Sequence, residues 1–200
     1  MSRFSFSRFA SIWPWLLVAM TVVTMDWAAR AAQPKAAQVT AVIKDVKLLP
    51  PQAPPHPAVV SETLASGTGL RTGVDSRAEL TFPDLTITRL GANTVFSFNE
   101  GARELNLDNG AILVQVPKSG SAVKVSTAGF TCGVTGGTAL CETNKGAPSK
   151  VMILEGSGHF CARGGGCVDI PAGEMVVMMP DGRYTQPLKF NVARVMETSL

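Results

Sequence analysis

The chain has 200 residues, 46% of them hydrophobic and 16% charged, with a formal charge of +3. That length fits one domain or two small ones, and the composition excludes a disordered acidic chain or a charge-laced coiled coil. Without residues 1–31 the charge falls to +1, which removes support for a nucleic-acid surface, and no apolar run beyond the N-terminus is long enough to span a bilayer. In the N-terminal segment, Arg3 and Arg8 precede an apolar stretch from Ile12 to Met25, followed by Ala29-Arg30-Ala31. This order of charge, short apolar run and small residues is that of a secretory signal peptide over residues 1–31. Fourteen helical residues reach about 21 Å, short of the ~30 Å hydrocarbon core, and the alternative is an uncleaved membrane anchor. Either places the folded part outside the cytoplasm, periplasmic or secreted.

From residue 32 onward the chain holds 18 Val, 15 Thr and 5 Ile, and all 19 glycines fall between Gly67 and Gly182. Stiff β-branched residues broken by turn formers predict an all-β fold, a solenoid- or sandwich-like array of short strands. Ala37 to Leu49 reads as a strand. Pro50 to Pro57, with five prolines in eight residues, reads as a stiff connection, and His56 within it as solvated. Alternation of Ala78, Leu80 and Phe82 with polar residues marks a half-buried strand. Further strands are predicted at 85–90, 95–98, 105–107, 111–116, 123–125, 151–154, 168–170 and 175–179. Gly110, Gly120, Gly129, Gly146, Gly156, Gly173 and Gly182 read as turns between them. A short helix is predicted over Leu188–Met196.

The sequence argues against most catalytic chemistry. Beyond the N-terminus only His56 and His159 are available, too few for a multi-histidine metal site. No Gly-x-Ser-x-Gly elbow occurs, and neither Gly67-Thr68-Gly69 nor Gly164-Gly165-Gly166 continues as a phosphate loop. Paired acids for glycoside cleavage are a matter of spatial separation, and nothing in the sequence selects a pair.

Four cysteines in an exported chain favour disulfides, with three connectivities open. Cys132 and Cys141 are symmetric about Gly136-Gly137, and Cys161 and Cys167 about Gly164. If both glycine segments are hairpin turns, Cys132 faces Cys141 and Cys161 faces Cys167, each as a disulfide. The rivals are a four-cysteine zinc site, for which the spacings are too long, and a redox-active pair, which lacks a Cys-x-x-Cys spacing.

The run Leu70 to Phe82, containing Gly73, Ser76 and Arg77, resembles the leading motif of the FecR family of bacterial envelope proteins. Further similarities follow in order: Arg89 to Thr94 with Gly91, Leu107 to Ala111, Gly137-Thr138, Leu154-Glu155-Gly156 and Pro171 to Glu174 with Gly173. They delimit a FecR-like domain at residues 38–180, with 181–200 as a C-terminal extension. The family usually has Asp-Gly-Thr where this chain has Asp84-Leu85-Thr86, so a rebuilt turn is expected there, and the four cysteines lie outside the family pattern. The resemblance implies an all-β envelope domain without enzymatic activity or cofactor. Its named members sense an outer-membrane iron transporter and control a sigma factor through a cytoplasmic N-terminal domain. Only about eleven residues precede the apolar run here, so that signalling role is not carried over. The matched glycines, with Ser76, Arg77, Thr138, Glu155 and Glu174, are expected to determine the fold rather than bind a ligand. The expected role is a binding or sensing module whose partner is an envelope protein, peptidoglycan or another glycan, with no nucleic acid and with membrane contact only through an uncleaved N-terminus. The alternatives are a structural part of a secreted or surface assembly and a carboxylate-based hydrolase.

Overall fold

A computed structural model describes residues 37–99 and 103–199, and the signal peptide expected at 1–31 lies outside these. The strands, in chain order, are β1 (Ala37–Ile43), β2 (Val46–Leu49), β3 (His56–Pro57), β4 (Thr63–Leu64) and β5 (Gly69–Thr72). Then come β6 (Arg77–Thr81), β7 (Ile87–Leu90), β8 (Val95–Asn99), β9 (Glu104–Gln115) and β10 (Val123–Ser126). The last are β11 (Phe130–Thr143), β12 (Ser149–Ala162), β13 (Cys167–Pro171), β14 (Glu174–Met178) and β15 (Leu188–Lys189), before the helix α1 (Val192–Ser199). The fold is all-β with a short C-terminal helix. Among the described residues no helix is long and apolar enough to cross a membrane.

All fifteen strands share one hydrogen-bonded network, which folds into two layers. Layer one runs β3-β2-β5-β8, then the first half of β9, β10, the first half of β11, the second half of β12, and β13. Layer two runs β4-β1-β6-β7, then the second half of β9, the second half of β11, the first half of β12, β14 and β15. The inner faces meet in one core. Phe82 from layer two packs edge-on against Phe98 of layer one with ring centroids 5.3 Å apart, and Tyr184 lies 5.2 Å from Phe160.

The three long strands pass from one layer to the other at glycines. In β9 the buried residues are Leu105 and Leu107 before Gly110, and Ile112 and Val114 after it, so their parity changes from odd to even. In β11 the change is from Phe130, Cys132 and Val134 to Ala139 and Cys141 across Gly136-Gly137, and β12 changes likewise across Gly156. One extra residue at a bulge bends the strand and flips which side chains face in, so the apolar set stays inside both layers. Gly110, Gly136 and Gly156 have φ of +93°, +54° and +80°. At Gly137 a Cβ would overlap the Glu155 carbonyl, so the two strands touch backbone to backbone.

Several expectations are corrected by these corners. Gly110, Gly136-Gly137 and Gly156 are bends inside continuous strands, not chain reversals, because the strands keep pairing on both sides: Thr135 faces Ser157 and Thr138 faces Glu155. The expected single strand at 37–49 is two, broken at Lys44 (φ +60°), with β1 in layer two and β2 in layer one. The proline connection contributes the two-residue edge strand β3, where proline's missing donor does no harm. The helix begins at Val192 rather than Leu188, because Leu188-Lys189 pair with β14 and the Asn191 side chain caps the Arg194 N–H at 3.2 Å.

Candidate functional site

The outer face of layer two is concave and forms a groove of about 980 Å³ across β1, β6, β7, β9, β11 and β12. Strand register builds its floor in rows. Ala41 faces Glu79, Glu79 faces Arg89, Arg89 faces Leu113 and Leu113 faces Leu140. A neighbouring row sets Gln115 against Thr138 and Thr138 against Glu155. Ala41, Leu113, Leu140 and Leu154 supply an apolar surface where a solvated sheet face would ordinarily be polar.

Charges around this floor are paired within the molecule. Arg89 Nε donates to Glu79 Oε2 at 2.7 Å, and Thr40 Oγ1 donates to Glu79 Oε1 at 2.7 Å. Lys150 holds Glu142 at 2.8 Å, Lys44 holds Asp75 at 3.4 Å and Lys118 holds Glu155 at 3.7 Å. Among the described residues no histidine and no aromatic ring lines the groove. A face of this kind suits a partner that offers apolar side chains rather than strong charge.

A second, smaller crevice of about 20 Å³ lies between Phe82, Phe98 and Arg103 and has room for about one water. Burial works to raise the Asp84 carboxyl there, yet hydrogen bonds from Arg103 and Thr86 prevail and hold it below the usual carboxylate range. Arg103 also donates to the carbonyls of Ser121 and Ala122, so the crevice is a structural tie.

Some of the motif residues line the groove, and others build its support. Arg77, Gly91, Thr138 and Glu155 line it. Ser76 is buried, where its hydroxyl accepts from the Asp45 N–H and donates to the Val74 carbonyl. Gly73 sits against Asp45, whose carbonyl accepts its N–H at 2.8 Å. Gly137 and Gly156 make the β11–β12 corner, and Gly173 (φ +80°) with Glu174 makes the β13–β14 turn. At the departure from the family pattern Leu85 adopts φ +66°, and the Asp84 carboxylate accepts the Thr86 N–H. The floor residues Leu113, Leu140 and Leu154 went unrecognised in the sequence. Their signal was the continuous apolar runs at 111–114, 139–141 and 151–154, which put apolar side chains on both faces of a strand.

The cysteines separate into two kinds. Cys161 and Cys167 face each other across the β12–β13 hairpin and form a disulfide. The expected Cys132–Cys141 bridge is absent: both are free, buried thiols on one strand, opposite Phe160 and Val151. The reason is the β11 corner, which replaces the hairpin that would have paired them. Burial pushes the Cys132 thiol up to about 12 and raises Cys141 as well, with Cys132 adding to the latter. The four cysteines therefore do not converge on a zinc site. His56, expected to be solvated, is half-exposed and bound to Glu62 at 2.9 Å, which raises its pKa above the ordinary value.

Residues 68–157 match the model of the FecR protein family. Two crystal structures, each of a candidate anti-sigma factor from Parabacteroides distasonis ATCC 8503, share the fold. The first has a TM-score of 0.58 at 15% identity, covering 66% of this chain and 64% of that one. The second has a TM-score of 0.56 at 16% identity, covering 64% and 62%. The chain thus spans less than two-thirds of either structure's length, and at these identities the likeness is one of fold. No curated protein matches the chain.

Proposed function

We propose that this chain, with its FecR domain at 68–157, is a non-catalytic sensing module of the bacterial cell envelope, exported to the periplasm or secreted, whose outer groove receives a protein partner. The observation that carries this reading is the apolar floor of Ala41, Leu113, Leu140 and Leu154, framed by charges already paired with one another. A glycan partner is less well served, since among the described residues no aromatic ring lines the groove to stack on a sugar face. Hydrolysis is disfavoured too: Glu79 and Glu142 are held by Arg89 and Lys150, and both histidines lie outside the groove. Assembly by edge pairing has little to work with, because β3, β4 and β15 are two residues long and β13 ends in Pro171. The regulatory sense of the reading draws on the family match and on the anti-sigma-like fold of the two crystal structures.

A photocrosslinking residue placed at Leu113 or Leu140 in the full-length chain tests this in cells. The expected result is a discrete adduct with one envelope protein, lost on Leu154→Asp and absent when the probe sits at Lys124 on the outer face of layer one. Equal adducts from both faces, or none from the groove, would refute the assignment.

A further inference from the structure

The β12–β13 hairpin carries four reactive side chains on its outward face that neither the groove nor the core employs. Residues two apart on a strand share a face, and the register sets His159 opposite Asp169 and Cys161 opposite Cys167. The four side chains make a square. Asp169 Oδ1 lies 2.6 Å from His159 Nδ1, and His159 Nε2 lies 3.4 Å from Cys161 Sγ. With the carboxylate accepting the proton of Nδ1, the other ring nitrogen is the one presented to sulfur.

The surroundings differ from those of a sealed staple. Cys167 is exposed and Cys161 half-buried, while the His159 and Asp169 side chains are 59% and 88% exposed. The loop is open at Gly164 and Gly165, which have nothing within 4 Å of where a side chain would begin, and Tyr184 closes on it only at Gly166. Exposed disulfides are the labile ones, and exchange is faster where the departing thiolate is stabilised as it leaves. The other two thiols of the chain are shut in the core and stay out of this chemistry.

We propose that Cys161–Cys167 is a thiol–disulfide exchange site, reduced by an external dithiol, with His159 assisting departure of the Cys161 sulfur and Asp169 positioning His159. One thiol of the dithiol gives its proton to solvent and its thiolate attacks Cys167 Sγ. A new sulfur–sulfur bond forms to Cys167 as the Cys161–Cys167 bond breaks, and the bonding pair leaves on Cys161 Sγ. Protonated Nε2 of His159 delivers a proton to that sulfur and is reprotonated from solvent. The second thiol of the dithiol, having lost its proton to solvent, attacks its partner sulfur in the mixed disulfide and expels Cys167, which takes a proton from water. The dithiol ends as a cyclic disulfide, and the two cysteines end as thiols with the two electrons and two protons it lost. This assignment is independent of the groove.

The test follows reduction of the full chain by dithiothreitol under native conditions, with alkylation and peptide mass mapping as readout. The wild-type bond is expected to open while circular dichroism stays unchanged, and His159→Gln to slow opening by about a hundredfold, the lower end of the scale of a general acid. Asp169→Asn is expected to slow it less, and to add nothing in the double variant with His159→Gln. Asp169→Glu should restore the rate. Glutathione, a single thiol, should be trapped on Cys167. An unchanged rate in His159→Gln, opening only as fast as the chain unfolds, or glutathione trapped on Cys161 would overturn the site. Additive losses in the double variant would overturn the role of Asp169.

Discussion

Leu85 is a non-glycine residue at φ +66° whose side chain is 70% exposed, so it accepts a left-handed conformation and gains almost no burial. Leu85→Gly is therefore expected to stabilise the fold by about 0.5–1 kcal/mol in urea denaturation, the relieved strain exceeding the added freedom of the unfolded chain. Thr88 is a second residue at odds with its place. It is fully buried, and its hydroxyl has no hydrogen-bond partner. Thr88→Val keeps the shape and removes that hydroxyl, for an expected gain of about 1–2 kcal/mol by the same measurement. The raised thiols of Cys132 and Cys141 lead to a third expectation: neither reacts with iodoacetamide at neutral pH in the folded protein, and both react in denaturant. Labelling of either in the native state would contradict the burial. The Leu85 anomaly was visible in the sequence as a missing glycine. Thr88 was not, because alternation says which residues face in without saying whether a hydroxyl finds an acceptor there.

For the elements, the glycines mattered more than the strands. Alternation located strands at 78–82, 95–98 and 123–125 close to where they stand, since a half-buried strand writes its period directly into the sequence. The long strands β9, β11 and β12 were each divided at a glycine, because glycine marks a hairpin turn and a strand corner alike. The choice between them is made by the neighbouring strand, here β12 continuing alongside β11 past Gly136-Gly137. The parity change of the apolar residues across those glycines was the available sign of a corner. Gly137→Ala places a methyl group against the Glu155 carbonyl, and overpacking against backbone has no flexible neighbour to yield. It is expected to cost about 3 kcal/mol or more in urea denaturation, or to prevent folding. By contrast Gly146→Ala, with nothing within 4 Å, meets only backbone strain and should cost far less.

For the whole molecule, the all-β class and the FecR match over 68–157 were legible from composition, turn spacing and ordered motifs. The groove was not, because its rows join residues from six strands, β1-β6-β7-β9-β11-β12, between which the chain makes excursions through β2, β3, β5, β8 and β10 of the other layer. The disulfide adds little to a fold of this size. Its loop is short, with a sequence separation of six, so breaking it is expected to cost roughly 2 kcal/mol. In thermal scans this is a fall of about 4–8 °C with the β-sheet spectrum retained. The three strands that turn corners have a larger effect. β9, β11 and β12 each hold backbone hydrogen bonds in both layers, so neither layer can peel away while the other persists. Amide protons at Leu113 and at Leu107, on opposite sides of the Gly110 bend, should therefore exchange through the same global opening, with equal protection free energies. A load applied to the grooved face would be carried through continuous covalent chain into the far layer, as in a folded plate whose creases stiffen it.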